Sequence, residues 1–205
     1  MAVAAERRRA AHLGPERRRP AVLDAALAIA VEQGLAAVSI AAVAERLAIT
    51  RPVVYACFAT REELLAALLE REERALLDGV LEALEQDVSG EPERVFVTGF
   101  TALLATVAEH RDSWRLVFAA AADPLVAQRF ARARTLVASR AAELFGIARG
   151  ETGDRVLPVL VEQFMSMGEG AVRSLVHGEG EWSAEELGAL VGRMAYRAFQ
   201  PEEDS

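Results

Sequence analysis

Apolar residues recur along this chain at intervals of three and four positions, the spacing of one face of an α-helix. Short connections that carry Gly, Pro, Ser or Asp separate these periodic stretches. We therefore expect an all-α fold of about nine helices and no strands. The predicted helices cover about residues 17–33, 41–47, 51–58, 61–87, 92–110, 112–121, 124–145, 158–177 and 184–199.

The most specific pattern begins at Ser39, a favoured N-cap residue that opens a short apolar helix. Ala48-Ile49-Thr50 is predicted to turn the chain into a second short helix, which Thr50 is able to cap. Val54 and Phe58 lie four positions apart in this second helix and share one face. Two short helices joined by a three-residue turn form a helix-turn-helix unit, whose second helix fits the major groove of DNA.

Two capping boxes mark the starts of later helices. Thr60 and Glu63 stand at N-cap and N3 spacing before the apolar pair at residues 64–65, and Ser183 and Glu186 repeat the spacing before the last helix. Helix starts are therefore predicted near residues 61 and 184.

The helix-turn-helix stretch resembles the N-terminal domain of the TetR family of transcriptional regulators over about residues 17–65. The family pattern runs roughly G-V-S-x-x-x-L-Y-x-H-F-x-S-K-E-E-L. This chain departs from it at Ala48, Pro52 and Cys57. Ala48 stands where Gly is usual, so the turn either lacks a left-handed residue or is mildly strained. The matching residues are Gly34, Ser39, Ile49, Thr50, Val54, Tyr55, Phe58, Thr60, Arg61, Glu62, Glu63 and Leu64.

The position of each residue in the motif, together with the resemblance, indicates how DNA would be bound. Arg51 suits a guanine edge or a phosphate, and Val53 suits a thymine methyl group. The resemblance implies that Tyr55 and Arg61 bind phosphates. Ser39 is a further phosphate candidate, but Ser39 and Thr60 are also explained as caps, and Tyr55 as a packed core aromatic. The predicted DNA-binding residues are Ser39, Thr50, Arg51, Pro52, Val53, Tyr55, Thr60 and Arg61.

Charge supports this assignment through its distribution. The net charge is −8, yet residues 1–60 carry eight arginines against five acidic residues. Arginine triplets at 7–9 and 17–19 predict either an arm that follows the phosphate backbone or enters the minor groove, or a solvated basic tail. One cysteine and the lack of a long apolar run favour a soluble, cytoplasmic protein without membrane contact.

Columns of small residues on the last two predicted helices indicate a homodimer. Small residues recur every four positions on each helix, beside an apolar stripe. Such a column allows close helix packing either across a two-fold axis or within one subunit. The predicted dimer-interface residues are Ser166, Gly170, Ser174, Gly188, Leu190, Val191 and Met194.

Bulky residues of the middle helices are candidates for an effector pocket, because the family resemblance places one between these helices. The alternative is an ordinary core, since aromatic residues at helical spacing are common there. The candidate pocket residues are Phe96, Phe100, Leu104, Trp114, Phe118, Phe130 and Phe164.

The sequence thus predicts a DNA-binding domain over residues 1–65 and an effector-binding and dimerisation domain over 66–205. The expected partners are a palindromic double-stranded operator, a second copy of the chain and an unidentified small-molecule effector that releases a repressor from DNA. An effector-independent architectural or protein-interaction dimer is the alternative. The three histidines are far apart and lack metal-ligand spacing, so we expect no catalytic residues, metal or cofactor.

Overall fold

A computed structural model describes residues 14–85, 91–149, 155–178 and 182–199. Within these ranges the chain forms nine α-helices and one short 3₁₀ helix, and no strand, so the all-α prediction is confirmed. The elements are α1 (Pro15–Gln33), the 3₁₀ helix (Leu35–Ala37), α2 (Ile40–Arg46), α3 (Arg51–Tyr55), α4 (Arg61–Leu84), α5 (Pro92–Glu109), α6 (Arg111–Ala119), α7 (Pro124–Arg149), α8 (Leu157–His177) and α9 (Ala184–Phe199).

The helix ends differ from the prediction at a few places. Helix α1 begins at Pro15, because proline at the first helical position loses no hydrogen bond, and it continues through Pro20. Helix α3 ends at Tyr55, three residues earlier than predicted, and α4 ends at Leu84. Helix α7 continues to Arg149, four residues beyond its predicted end at residue 145. Residues 88–90 and 150–154 of the predicted connections lie outside the described residues.

The smaller compact unit comprises residues up to Glu72 together with Arg115–Val126. Its core takes one face from each helix of the N-terminal segment. Helix α1 buries one face, and Val54, Phe58, Leu64 and Leu68 are fully buried with it. The buried residues of this face include Val22, Leu23, Ala26, Ile29 and Ala30. Gly34 ends α1 with a φ of 87°, as its place after the last helical residue predicts.

The larger unit comprises Glu73–Trp114 and the residues from Ala127 onward. Helix α9 lies mainly along α5, and α8 packs against both. Arginines of α7 pair with acidic residues of its neighbours: Arg134 bonds Glu162 and Glu169 of α8 at 2.7 Å each.

Helix α4 passes through both units, because the unit boundary falls between Glu72 and Glu73. The predicted division at residue 65 stays a prediction.

Candidate nucleic-acid interface

Helix α3 is anchored on its inner face and open on its outer face. Val54 and Phe58 have no exposed surface, which fixes the rotation of the short helix about its axis. Arg51, Pro52 and Tyr55 are exposed on the opposite side, and Val53 is half-buried between the two faces. The sequence pattern predicted this division correctly, because residues four apart must share a face.

The turn before α3 places Ala48 in the left-handed region, with a φ of 52°. The Ile49 N–H donates to the Ala44 carbonyl at 2.9 Å, and the Ala48 N–H donates to the Glu45 carbonyl at 3.0 Å. These two bonds are the Schellman pattern that closes a helix, in which glycine is the usual left-handed residue. Of the two alternatives for this turn, mild strain is therefore the correct one.

Arg51 and Tyr55 are the two large side chains on the outer face of α3 that are available to a ligand. Tyr55 keeps 52% of its surface exposed, which rules out a packed core role. Neither side chain makes a hydrogen bond or ion pair with another residue in the described part of the chain. A guanidinium and a phenol hydroxyl held beside each other on an anchored helix are able to donate hydrogen bonds to an external acceptor.

The hydroxyls predicted to cap helices behave differently from one another. Ser39 Oγ accepts from the Ala42 N–H at 3.1 Å, and Thr60 Oγ1 accepts from the Glu63 N–H at 3.0 Å. Both residues are therefore caps, as expected. The Glu63 carboxylate accepts from the Ala59 N–H at 2.8 Å, one residue before the N-cap N–H that a capping box normally uses. Thr50 occupies the N-cap of α3 through its backbone alone, so the predicted side-chain cap is absent there.

Two further arginines of this domain are committed to partners inside the protein. Arg46 makes a bidentate pair with Glu32 at 2.6 and 2.7 Å. Arg19 donates to the Cys57 carbonyl at 2.8 Å and lies 4.3 Å from the centroid of the Phe58 ring. Sequence reasoning placed Arg19 in the basic arm and missed this role. The first triplet, residues 7–9, lies outside the described residues.

Arg61, which the resemblance implies binds a phosphate, also has partners inside the protein. Its guanidinium donates to the carbonyls of Val38 at 2.6 Å, Leu35 at 3.0 Å and Ala36 at 3.3 Å. The resemblance implied a phosphate contact at the start of the fourth helix. The forked donors of arginine reach several carbonyls at once, whereas the lysine of the family pattern lacks such a fork.

Cys57 is buried, and its Sγ lies 3.5 Å from the carbonyl oxygens of Pro15 and Val53. Burial raises the pKa of the thiol, and the nearby charges of Arg18 and Arg19 oppose that rise. A thiol with a raised pKa forms little thiolate, so Cys57 acts as a packing residue of the motif.

The model of the family described as bacterial regulatory proteins, tetR family, matches residues 22–68. This range spans the α1 core face, the helix-turn-helix and the start of α4. Residues 22–68 match the N-terminal domain of TetR-family transcriptional regulators. No curated protein sequence matches the chain significantly.

Solved TetR-family structures share the fold of most of the chain at low identity. A TetR-like transcriptional regulator from Rhodococcus sp. RHA1 is 22% identical, with a TM-score of 0.68 over 88% of this chain and 94% of that one. The TetR-family regulator PfmR from Thermus thermophilus is 17% identical, with a TM-score of 0.66 over 88% and 99%. The ketosteroid regulator KstR2 of Mycobacterium tuberculosis is 19% identical, with a TM-score of 0.63 over 90% and 95%. Together they show that the TetR-like fold extends over both units.

Three of the predicted pocket residues lie in one cluster of aromatic rings. Phe96, Phe100 and Phe164 lie in one ring cluster with Phe145 and Phe199, with centroid distances such as 5.3 Å for Phe145–Phe164 and 6.1 Å for Phe96–Phe199. Leu104 and Trp114 are buried in the larger unit, Phe130 is half-buried on α7, and Phe118 belongs to the smaller unit.

The predicted dimer residues divide between an exposed and a buried set. Ser166, Gly170, Ser174 and Met194 are exposed, and Leu190 and Val191 are half-buried. Gly188 is buried instead, because α9 packs so closely on α5 that a Cβ there would lie 2.5 Å from Thr101 Cα. The small column of α9 therefore serves packing inside one subunit, which corrects its assignment to a dimer interface.

Among the described helices, none is long and apolar enough to cross a membrane.

Proposed function

We propose that this TetR-family regulator binds a specific DNA sequence by inserting α3 into the major groove. The observation that carries the proposal is the outer face of α3, where Arg51 and Tyr55 are exposed and lack partners within the described residues, while Val54 and Phe58 anchor the inner face. Arg51 reads a guanine edge, and Tyr55 donates its hydroxyl to a phosphate. Thr50, Pro52 and Val53 complete the surface, and Val53 meets a thymine methyl group.

The regulator binds its operator as a homodimer through α8. Gly170 is exposed in the middle of this helix, and a Cβ there would have no atom within 4 Å. Glycine costs about 1 kcal/mol relative to alanine in a helix interior, and nothing inside the subunit requires it here. A partner helix that approaches the Ser166, Gly170 and Ser174 column explains the choice. Two subunits then present their α3 helices to a palindrome with half-sites about 34–36 Å apart.

The bound dimer acts as a repressor that a small apolar effector releases. An effector lodged among the helices of the larger unit displaces α4, which continues into the smaller unit. The five phenylalanine rings contributed by α5, α7, α8 and α9 favour an apolar molecule. Release requires the effector to bind the non-binding conformation more tightly than the DNA-binding one.

Selection of binding sites from random DNA by the purified full-length protein tests this function. We expect an enriched palindrome, and we expect one class in a panel of apolar, cationic and steroid compounds to abolish the enrichment. Binding without any enriched sequence, governed by salt alone, would instead favour an architectural DNA-binding dimer. If a palindrome is enriched but no compound abolishes the enrichment, the result would support a sequence-specific regulator and contradict its release by a small molecule.

A further inference from the structure

Arg61 is the first residue of α4, and its side chain leaves that helix to reach the connection between α1 and α2. Nε donates to the Val38 carbonyl at 2.6 Å, while Nη2 donates to the Leu35 and Ala36 carbonyls at 3.0 and 3.3 Å. The three acceptors are separated from Arg61 by 23 to 26 positions along the chain. One side chain therefore joins two segments that are distant in sequence.

The carbonyls that Arg61 binds belong to the segment that sets the position of α2. The 3₁₀ helix covers residues 35–37, Val38 is fully buried, and Ser39 follows at once as the N-cap of α2. Only a guanidinium offers donors along one edge in a fixed planar fork, which matches several carbonyls together. Holding these carbonyls fixes where α2 begins.

The same first turn of α4 is bonded to the segment that follows α3. Glu63 accepts a hydrogen bond from the Ala59 N–H at 2.8 Å. Thr60 caps the helix, because its Oγ1 accepts from the Glu63 N–H at 3.0 Å. The first turn of α4 thus bonds the chain just before α2 through Arg61 and the chain just after α3 through Glu63.

We propose that Arg61 is a positioning residue that couples α4 to the helix-turn-helix, and that it does not contribute a phosphate contact. Through Arg61 and Glu63 together, α2 and α3 move with α4 as one body. This role rests on the proposed DNA-binding function, and it identifies the bonds through which a movement of α4 changes the presentation of α3.

We call the hydrogen bonds from Arg61 to the Val38, Leu35 and Ala36 carbonyls the Arg61 clamp. Two substitutions at Arg61 distinguish this clamp from a phosphate contact. Arg61→Lys keeps the positive charge, which is sufficient for a phosphate, but it lacks the fork that reaches Val38 and Leu35 together. Arg61→Ala removes both. Arg94→Ala is the matched control for lost charge, because Arg94 is exposed on α5 and forms no hydrogen bond or ion pair within the described residues.

Operator affinity of the full-length protein is measured over a range of salt concentrations, at a temperature where circular dichroism shows each variant folded. We expect Arg61→Ala and Arg61→Lys to lose affinity alike, by about tenfold or more, with the salt dependence of the wild-type protein. Arg94→Ala should bind as the wild type does. Restoration by lysine, or a salt slope reduced by about 0.9 in Arg61→Ala, would identify a phosphate contact and overturn the proposal.

Amide hydrogen exchange without DNA gives a second measurement that does not depend on the operator. Both Arg61 variants should exchange faster at the Ala42 and Val43 amides, which bond to Ser39 at the start of α2. Unchanged exchange there would refute the clamp even if the operator is found. If no operator is found but exchange accelerates, the clamp stands and the proposed function fails.

Discussion

At the scale of single residues, Ala48 stores strain in the turn of the helix-turn-helix. A non-glycine residue in the left-handed region crowds its Cβ against the neighbouring carbonyl, at a cost of about 1–2 kcal/mol. The Schellman bonds from Ile49 and Ala48 hold the residue there, with a φ of 52°. The turn therefore keeps its geometry through tertiary packing and these bonds, without the glycine that usually favours it.

Ala48→Gly should stabilise the protein. Relief of the left-handed strain outweighs the extra freedom that glycine gives the unfolded chain, so we expect a net gain of about 0.5–1 kcal/mol in the free energy of unfolding. Chemical denaturation of both variants measures it. Ala56→Gly is the control, because Ala56 has a φ of −67° and should lose stability as a glycine. Equal losses in both variants would show that Ala48 carries no strain.

Substitutions at Arg51 and Tyr55 should change DNA binding in different ways. Arg51→Ala removes a base contact, so discrimination at one base-pair position should fall by about 1–3 kcal/mol. Tyr55→Phe removes one hydroxyl from a phosphate, so affinity should fall by about 1 kcal/mol for every sequence alike. Binding to the selected operator and its single-base variants distinguishes the two patterns. Wild-type affinity in both variants would refute this interface.

Local chemistry predicted the caps at Ser39 and Thr60 and the faces of the motif, whereas the partners of its arginines could not be predicted. Ser39 and Thr60 bond to amides three residues away, so sequence spacing alone determines their role. Arg61, Arg46 and Arg19 bond to groups that folding brings close from 14 to 38 positions away. Arginine offers the same donors to a phosphate, a carboxylate or a carbonyl, and only the folded neighbours decide among them.

At the scale of helices, the column of small residues on α9 explains the close pairing of α9 with α5. A Cβ at Gly188 would lie 2.5 Å from Thr101 Cα, and one at Gly192 would lie 2.5 Å from Val97 Cα. Both neighbours are backbone atoms, which cannot turn aside as a flexible side chain does. The sequence showed the columns on both helices but not which one faces inward, because the spacing is identical.

Gly188→Ala should destabilise the larger unit. The added methyl forces α9 away from α5, and overpacking of this kind costs about 1–3 kcal/mol. Gly168→Ala on α8 is the control, because its Cβ would lie 3.9 Å from Leu103 Cδ2 and it gains about 1 kcal/mol of helix propensity. Thermal unfolding of the two variants should therefore shift in opposite directions. A stabilised Gly188→Ala variant would contradict the close packing.

At the scale of the whole molecule, the two copies of α3 can read one palindrome only if a surface joins the subunits. The exposed column on α8 is available for this purpose, whereas the column on α9 is occupied by α5 within the subunit. A C2 interface repeats each contact about its axis, so one substitution changes it twice. The α8 column is therefore the sensitive place to test assembly.

Gly170→Arg should convert the proposed dimer into folded monomers. Nothing within the subunit lies within 4 Å of the added Cβ, so the fold tolerates the side chain, while a partner helix packed on the column does not. Light scattering gives the mass, and circular dichroism confirms the helices. Ser139→Arg adds the same charge to an exposed position of α7 and should remain dimeric. The monomer should also lose most of its operator affinity, because a single half-site supplies only half of the contacts. A Gly170→Arg protein that stays dimeric would place the interface elsewhere.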